Sequence, residues 1–86
     1  MKLKDQLNKF KVQFSEEAIE QALEGIYNFL KKTVKSEFQL CYDARYNAVF
    51  FYGKKEDVER IANRLGHAVF YNDIDGYFTT LIPDFC

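Results

Sequence analysis

A chain of 86 residues is long enough for one domain but too short for two lobes with a cleft between them. Its 12 basic and 13 acidic side chains nearly cancel, giving a net charge of −1, so no bulk electrostatic field recruits nucleic acid or an anionic membrane. Nine Phe and six Tyr are more aromatic side chains than so small a domain can bury, and some of them are expected at its surface.

Neither the start of the chain nor its cysteines indicate secretion. Residues 1–14 lack a continuous apolar segment and a small-residue cleavage site, and no stretch approaches the length of a membrane span. Cys41 and Cys86 are too few for a disulfide framework and have no metal-ligand spacing. We therefore expect a cytoplasmic protein with reduced thiols, no cofactor, no metal and no contact with membranes.

The first predicted element is a strand over residues 9–14. Three apolar side chains alternate there with three polar ones: Phe10, Val12 and Phe14 with Lys9, Lys11 and Gln13. This is the period of a strand with one face in water. A helical turn over residues 2–8 is the alternative, because Leu3, Leu7 and Phe10 also follow a helical spacing.

A long helix is predicted next, from Ser15 to about residue 34. Ser15 is a good N-cap, and Glu16 and Glu17 follow it where negative charge meets the positive end of a helix. The apolar stripe has helical spacing and consists of Ile19, Leu23, Ile26, Leu30 and Val34.

The remaining elements are two hairpins and a second helix. Residues 38–43 and 47–52 form the first predicted hairpin, and a helix over residues 55–65 ends at Gly66. Residues 67–72 and 77–82 form the last hairpin, joined by Asp-Ile-Asp-Gly at 73–76, a strong turn sequence with Gly in the bulge position.

These elements predict one α+β domain over residues 1–86. Their βαββαβ order, with an extra C-terminal strand, resembles the ferredoxin-like arrangement, a two-layer sandwich whose antiparallel sheet is covered by two helices on one face. If residues 9–14 are helical, the alternative is αββαββ, two hairpins separated by a helix.

Strand parity predicts an aromatic open face. Directly opposed residues share a face. A two- or four-residue loop in the first hairpin pairs residue 40 with 49 and 38 with 51, and turns Phe50 and Tyr52 outward when Phe38 and Leu40 point inward. A three- or five-residue loop reverses that assignment. In the last hairpin the more apolar set is assigned to the core: Ala68, Phe70, Phe78, Thr80 and Ile82. The predicted open face therefore carries Phe50, Tyr52, Tyr71 and Tyr77, flanked by Lys9 and Lys11. If the N-terminal segment or a second copy covers this face, the same aromatics are core.

No catalytic signature stands out in the chain. His67 is the sole histidine and has no partner specified by spacing. Cys41 is placed on a sheet with no adjacent base, and residues 73–76 lack the distal Glu of a calcium loop. The expected function is a non-enzymatic adaptor or regulator that binds another protein, a second copy of itself included, through the open sheet face or an exposed strand edge. Small bacterial and phage regulators that occupy a partner's active surface are modules of this kind.

Two alternatives stay open at this stage. RNA-recognition modules stack bases on the aromatic open face of a similar sheet, and residues 45–52 (RYNAVFFY) have the Arg and aromatic content but not the glycines of that motif. Binding of single-stranded nucleic acid through the same face is therefore the first alternative. A small enzyme with an unrecognised site is the second.

Overall fold

A computed structural model describes residues 3–11 and 15–81 of the chain. These residues form three helices and four strands: α1 (Leu3–Lys11), α2 (Glu16–Thr33), β1 (Gln39–Asp43), β2 (Ala48–Gly53), α3 (Lys55–Leu65), β3 (Val69–Asn72) and β4 (Gly76–Thr80). All four strands belong to one antiparallel sheet, so the fold is of the α+β class. Over the described ranges, no helix has the length and apolarity required to cross a membrane.

Contacts within the chain group it into two units, Met1–Lys35 and Ser36–Cys86. The first unit contains α1 and α2, which pack against each other. A methyl group added at Gly25 of α2 would lie 3.0 Å from the Gln6 side-chain oxygen of α1, so the two helices approach closely where α2 has no side chain. The second unit contains the sheet and α3.

The strand predicted over residues 9–14 is wrong where the structure describes it. Residues 9–11 are the last turn of α1, and residues 12–14 lie outside the described residues. Leu7 and Phe10 are buried, so the helical spacing prevails over the alternation, in a segment rich in the good helix formers Leu, Lys and Gln. The ferredoxin-like βαββαβ order is consequently not confirmed. From residue 15 onward the order is the alternative αββαββ, with α1 before it.

Helix α2 begins and ends as its sequence predicts. The Ser15 hydroxyl oxygen accepts a hydrogen bond from the Ala18 N–H at 3.1 Å, which satisfies one of the unpaired donors of the first turn. At the other end, the Val34 N–H donates to the Leu30 carbonyl oxygen at 2.6 Å. Ile26 and Leu30 of the predicted apolar stripe are buried.

The sheet has the strand order β1-β2-β4-β3 and consists of two hairpins that meet along β2 and β4. In the first hairpin Asp43 pairs with Ala48 across a four-residue turn, a register two residues from the predicted one. A shift of two leaves every side chain on its predicted face. In the second hairpin Asn72 pairs with Gly76, and Gly76 adopts a φ of +80° that favours glycine.

Helix α3 packs against one face of the sheet in its own unit. Its buried side chains Val58, Ile61 and Ala62 line the side that contacts β2 and β4. The residues on that face include Val49, Phe51 and Thr79 of the sheet and Leu81 just after β4, which are all buried. Gly66 ends the helix in the left-handed conformation, with a φ of +71°, as a C-terminal glycine does.

Candidate functional site

The pairing of β2 with β4 places four aromatic side chains on the sheet face opposite α3. Tyr52 lies directly across from Phe78, and Phe78 lies directly across from Phe70. Phe50, two residues before Tyr52, points to the same side, because side chains alternate along a strand. We call this group the aromatic face: Phe50, Tyr52, Phe70 and Phe78.

The four rings form one connected cluster around Phe78. The Phe78 ring centroid lies 5.2 Å from that of Tyr52, 5.4 Å from Phe70 and 6.1 Å from Phe50. These separations fall in the range at which aromatic pairs attract one another beyond simple area burial. The rings therefore hold each other in place and present an ordered surface.

This surface is accessible to solvent. Phe50, Tyr52 and Phe78 are partly exposed, and Phe70 keeps 46% of its surface exposed. On the same face of β1, Gln39 and Cys41 are exposed, and Cys41 is paired directly with Phe50. Ala48, on the same side of β2, is buried, whereas the four rings are more exposed than the residues beneath α3.

The electrostatic surroundings of the aromatic face are neutral to acidic. None of the four strands contains Lys or Arg. Burial raises the pKa of the Tyr52 hydroxyl above its usual 10.0, and electrostatic interactions with Cys41, Asp75 and Asp43 add to the increase. Cations that would neutralise phosphates are therefore missing from the strands that form this surface.

Asp43, at the end of β1, is engaged by its neighbour in the turn. The Arg45 guanidinium donates to its carboxylate at 3.1 Å, and the Arg45 N–H donates at 2.9 Å. Hydrogen bonding from the Arg45 side chain is the main reason that the pKa of Asp43 lies below its usual 3.8. Both groups are at the surface, so this pair contributes little to stability.

The structure brings together only part of the predicted site. Phe50 and Tyr52 lie on the open face as expected. Tyr71 and Tyr77 lie on the opposite face, where their ring centroids are 4.8 Å apart and the Lys55 ammonium is 5.8 Å from the Tyr77 ring. Lys9 and Lys11 belong to α1 rather than to a strand, and the Lys11 side chain lies outside the described residues.

Phe70 and Phe78 are the members of the aromatic face that sequence reasoning assigned to the core. The side chains of the last hairpin were divided correctly into two faces. The face predicted to be core is the one opposite α3, and the face predicted to be open is the one on the α3 side. The choice depends on how β4 pairs with β2, since Tyr52 opposite Phe78 forces both to the same side. Nothing within either hairpin alone specifies that pairing. If β2 is assumed to pair with β4, the outward position of Tyr52 places the opposed Phe78 outward as well.

The other chemistry-bearing side chains have local structural partners. The His67 ring nitrogen Nδ1 bonds to the Thr80 carbonyl oxygen, and the Asn72 amide donates to the Asp75 carboxylate at 3.3 Å. Arg60 donates to the buried Asp57 carboxylate at 3.2 Å. Among residues 3–11 and 15–81, no three His, Cys, Asp or Glu side chains are grouped so that they could hold a metal ion.

Comparison with known proteins gives no relative from which to transfer a function. No family model matches the chain, and no curated protein or solved structure matches it significantly. The geometry of the aromatic face is therefore the observation that bears on function.

Proposed function

We propose that this chain is a small non-enzymatic protein-binding module, an adaptor or regulator whose aromatic face docks on another protein. The observation that supports this proposal is the connected, partly exposed ring cluster around Phe78. Contiguous exposed apolar surface is uncommon on monomeric proteins and typically marks an interaction site. Aromatic side chains are also the residues that most often dominate binding energy at interfaces.

Tyr52 has the properties of a binding anchor. Its ring packs against Phe78 and is 6.5 Å from Phe50, so little side-chain freedom is lost when a partner covers it. Its polar hydroxyl group remains able to bond with a partner, which is the combination that enriches Tyr at interfaces. Removing such an anchor typically weakens binding by about 1–3 kcal/mol.

Single-stranded nucleic acid is the second candidate ligand, because rings on an open sheet face can stack with bases. The charge distribution favours a protein instead. The strands hold no Lys or Arg, and the predicted flanking cation Lys9 is on α1. Asp75 and Asp43 are close enough to Tyr52 to add to the rise of its pKa, which is caused mainly by burial, and acidic groups beside the rings disfavour a phosphate backbone.

Affinity capture with matched variants tests the proposal. The immobilised wild-type chain and two variants, Tyr52→Ala and Tyr46→Ala, are exposed to extract from the native host. Tyr46 is the control because it is 55% exposed and lies in the β1–β2 turn. We expect a protein that is retained by wild type and Tyr46→Ala and lost with Tyr52→Ala. Equal retention by both variants would contradict docking on the aromatic face.

Titration with a fluorescent oligonucleotide separates the two candidates. A nucleic-acid-binding surface shows affinity that falls steeply with salt, because bound counterions are released. We expect no saturable binding to wild type at low salt. Saturable binding that is lost in Tyr52→Ala and kept in Tyr46→Ala would favour the nucleic-acid function instead.

A further inference from the structure

Strand β3 is an edge of the sheet. Among residues 3–11 and 15–81, its one strand partner is β4, so alternate residues direct their N–H and C=O groups away from the sheet. Its first three residues are unusually exposed for apolar side chains, at 37% for Val69, 46% for Phe70 and 60% for Tyr71. An edge with these properties is a template for pairing with another strand.

β3 is short, at four residues, but the charged side chains, prolines and bulges that normally prevent edge pairing are missing from it. Residues 66–72 (GHAVFYN) contain no Lys, Arg, Asp, Glu or Pro. The register of β3 with β4 runs without a bulge from Val69 to Asn72. The opposite edge differs, because β1 ends at Asp43, whose carboxylate is held in an ion pair with Arg45.

We propose that the β3 edge is a self-association surface, at which two copies of this chain pair β3 with β3 in antiparallel orientation about a two-fold axis at Phe70. The sheet then has eight strands. A second copy fits this edge because the pairing brings no like charges together, since residues 66–72 carry no acidic or basic side chain apart from His67. Phe70 belongs to both this edge and the aromatic face, but the self-association proposal does not rest on the partner-binding role of that face.

The axis is placed at Phe70 for two reasons. In this register Val69 of each copy lies opposite Tyr71 of the other, so the three exposed apolar side chains of one strand meet the same three of its mate. Phe70 also meets Phe70 on the face where it already packs on Phe78, at a centroid distance of 5.4 Å. The two aromatic faces thereby join into one continuous surface, and cross-strand aromatic pairs stabilise a sheet.

A charge-swap experiment tests both the edge and its register, with association measured by sedimentation of the isolated chain. Because Phe70 meets itself on the axis, Phe70→Lys places two ammonium groups opposite each other, and Phe70→Glu places two carboxylates there. Like charges directly opposite destabilise a strand pair, and we expect each variant alone to associate at least about tenfold more weakly than wild type. An equimolar mixture of the two should recover a heterodimer.

Ile74→Lys is the matched control, because Ile74 is 95% exposed in the turn after β3 and should leave association unchanged. A wild-type chain that stays monomeric up to high micromolar concentration would overturn the proposal. Undiminished association of Phe70→Lys would overturn the edge assignment, and failure of the mixture to recover would overturn the register. Circular dichroism checks that each variant folds.

If either charged variant unfolds, Phe70→Cys in a Cys41→Ser, Cys86→Ser background replaces them. Residues opposed across an antiparallel pair have Cβ atoms about 4.5–5.5 Å apart, close to the separation that a disulfide spans. Mild oxidation should give a covalent dimer of Phe70→Cys and none of Ile74→Cys in the same background. Equal crosslinking of both cysteines would contradict the proposed axis.

Discussion

Replacing Phe78 by Ala removes the ring to which every other member of the aromatic face is joined. Phe78 contacts Tyr52, Phe70 and Phe50, and each aromatic pair contributes about 0.5–1.5 kcal/mol beyond area burial. Full burial would make Phe→Ala cost about 3–5 kcal/mol, but this ring is only partly buried. We therefore expect the free energy of unfolding to fall by about 2–3 kcal/mol, below the full-burial range.

Urea denaturation followed by circular dichroism measures this loss, and thermal melting gives an independent value. For a domain of this size the expected decrease in Tm is roughly 8–24 °C. Tyr46→Ala is again the control, because an exposed turn residue should change stability by no more than about 0.5 kcal/mol. If Phe78→Ala proves no more destabilising than Tyr46→Ala, the rings are not packed as a cluster and the aromatic face is not an ordered surface.

Three further predictions concern the backbone and the titrating groups. Gly66→Ala should lower the unfolding free energy by about 1–2 kcal/mol in urea denaturation, because Gly66 is left-handed, and Gly66→Asn should cost less since Asn tolerates that conformation. Arg45→Gln should raise the pKa of Asp43 toward 3.8 in an NMR titration. In wild type the lowered pKa of Asp43 stabilises the folded state at pH values above the pKa of the unfolded chain. This stabilisation is lost as the pH falls through the pKa of the folded state. Burial raises the pKa of Tyr52, and Asp75 adds to the increase, so Asp75→Asn should lower this pKa in a tyrosine-ring NMR titration. The stability associated with neutral Tyr52 is present below the pKa of the unfolded chain and is lost as the pH rises through the pKa of the folded state.

Elements with strong local signals were predictable from the sequence. Ser15 fixes the start of α2 through its side-chain cap, and Gly66 fixes the end of α3 through its positive φ. The turn before Gly76 fixes the last hairpin to within two residues of register. In each case one or two residues have chemistry that only one local conformation satisfies.

Elements that depend on distant pairing were not predictable in the same way. Phe10 fits a helical period with Leu3 and Leu7 and a strand period with Val12, so periodicity alone did not choose between them. Phe78 was assigned to the core because apolarity was compared within one hairpin. Its actual position is set by the pairing of β4 with β2, a contact between segments that no local pattern encodes.

NMR mapping of the partner's footprint shows whether the aromatic face is the binding surface. The aromatic rings of the chain are labelled with ¹³C, and the protein retained by wild type and lost with Tyr52→Ala is added. We expect the ring signals of Phe50, Tyr52 and Phe78 to shift or broaden, while those of Phe51 and Tyr77 on the α3 face stay in place. Perturbation of Tyr77 and Phe51 with the aromatic face unchanged would contradict it.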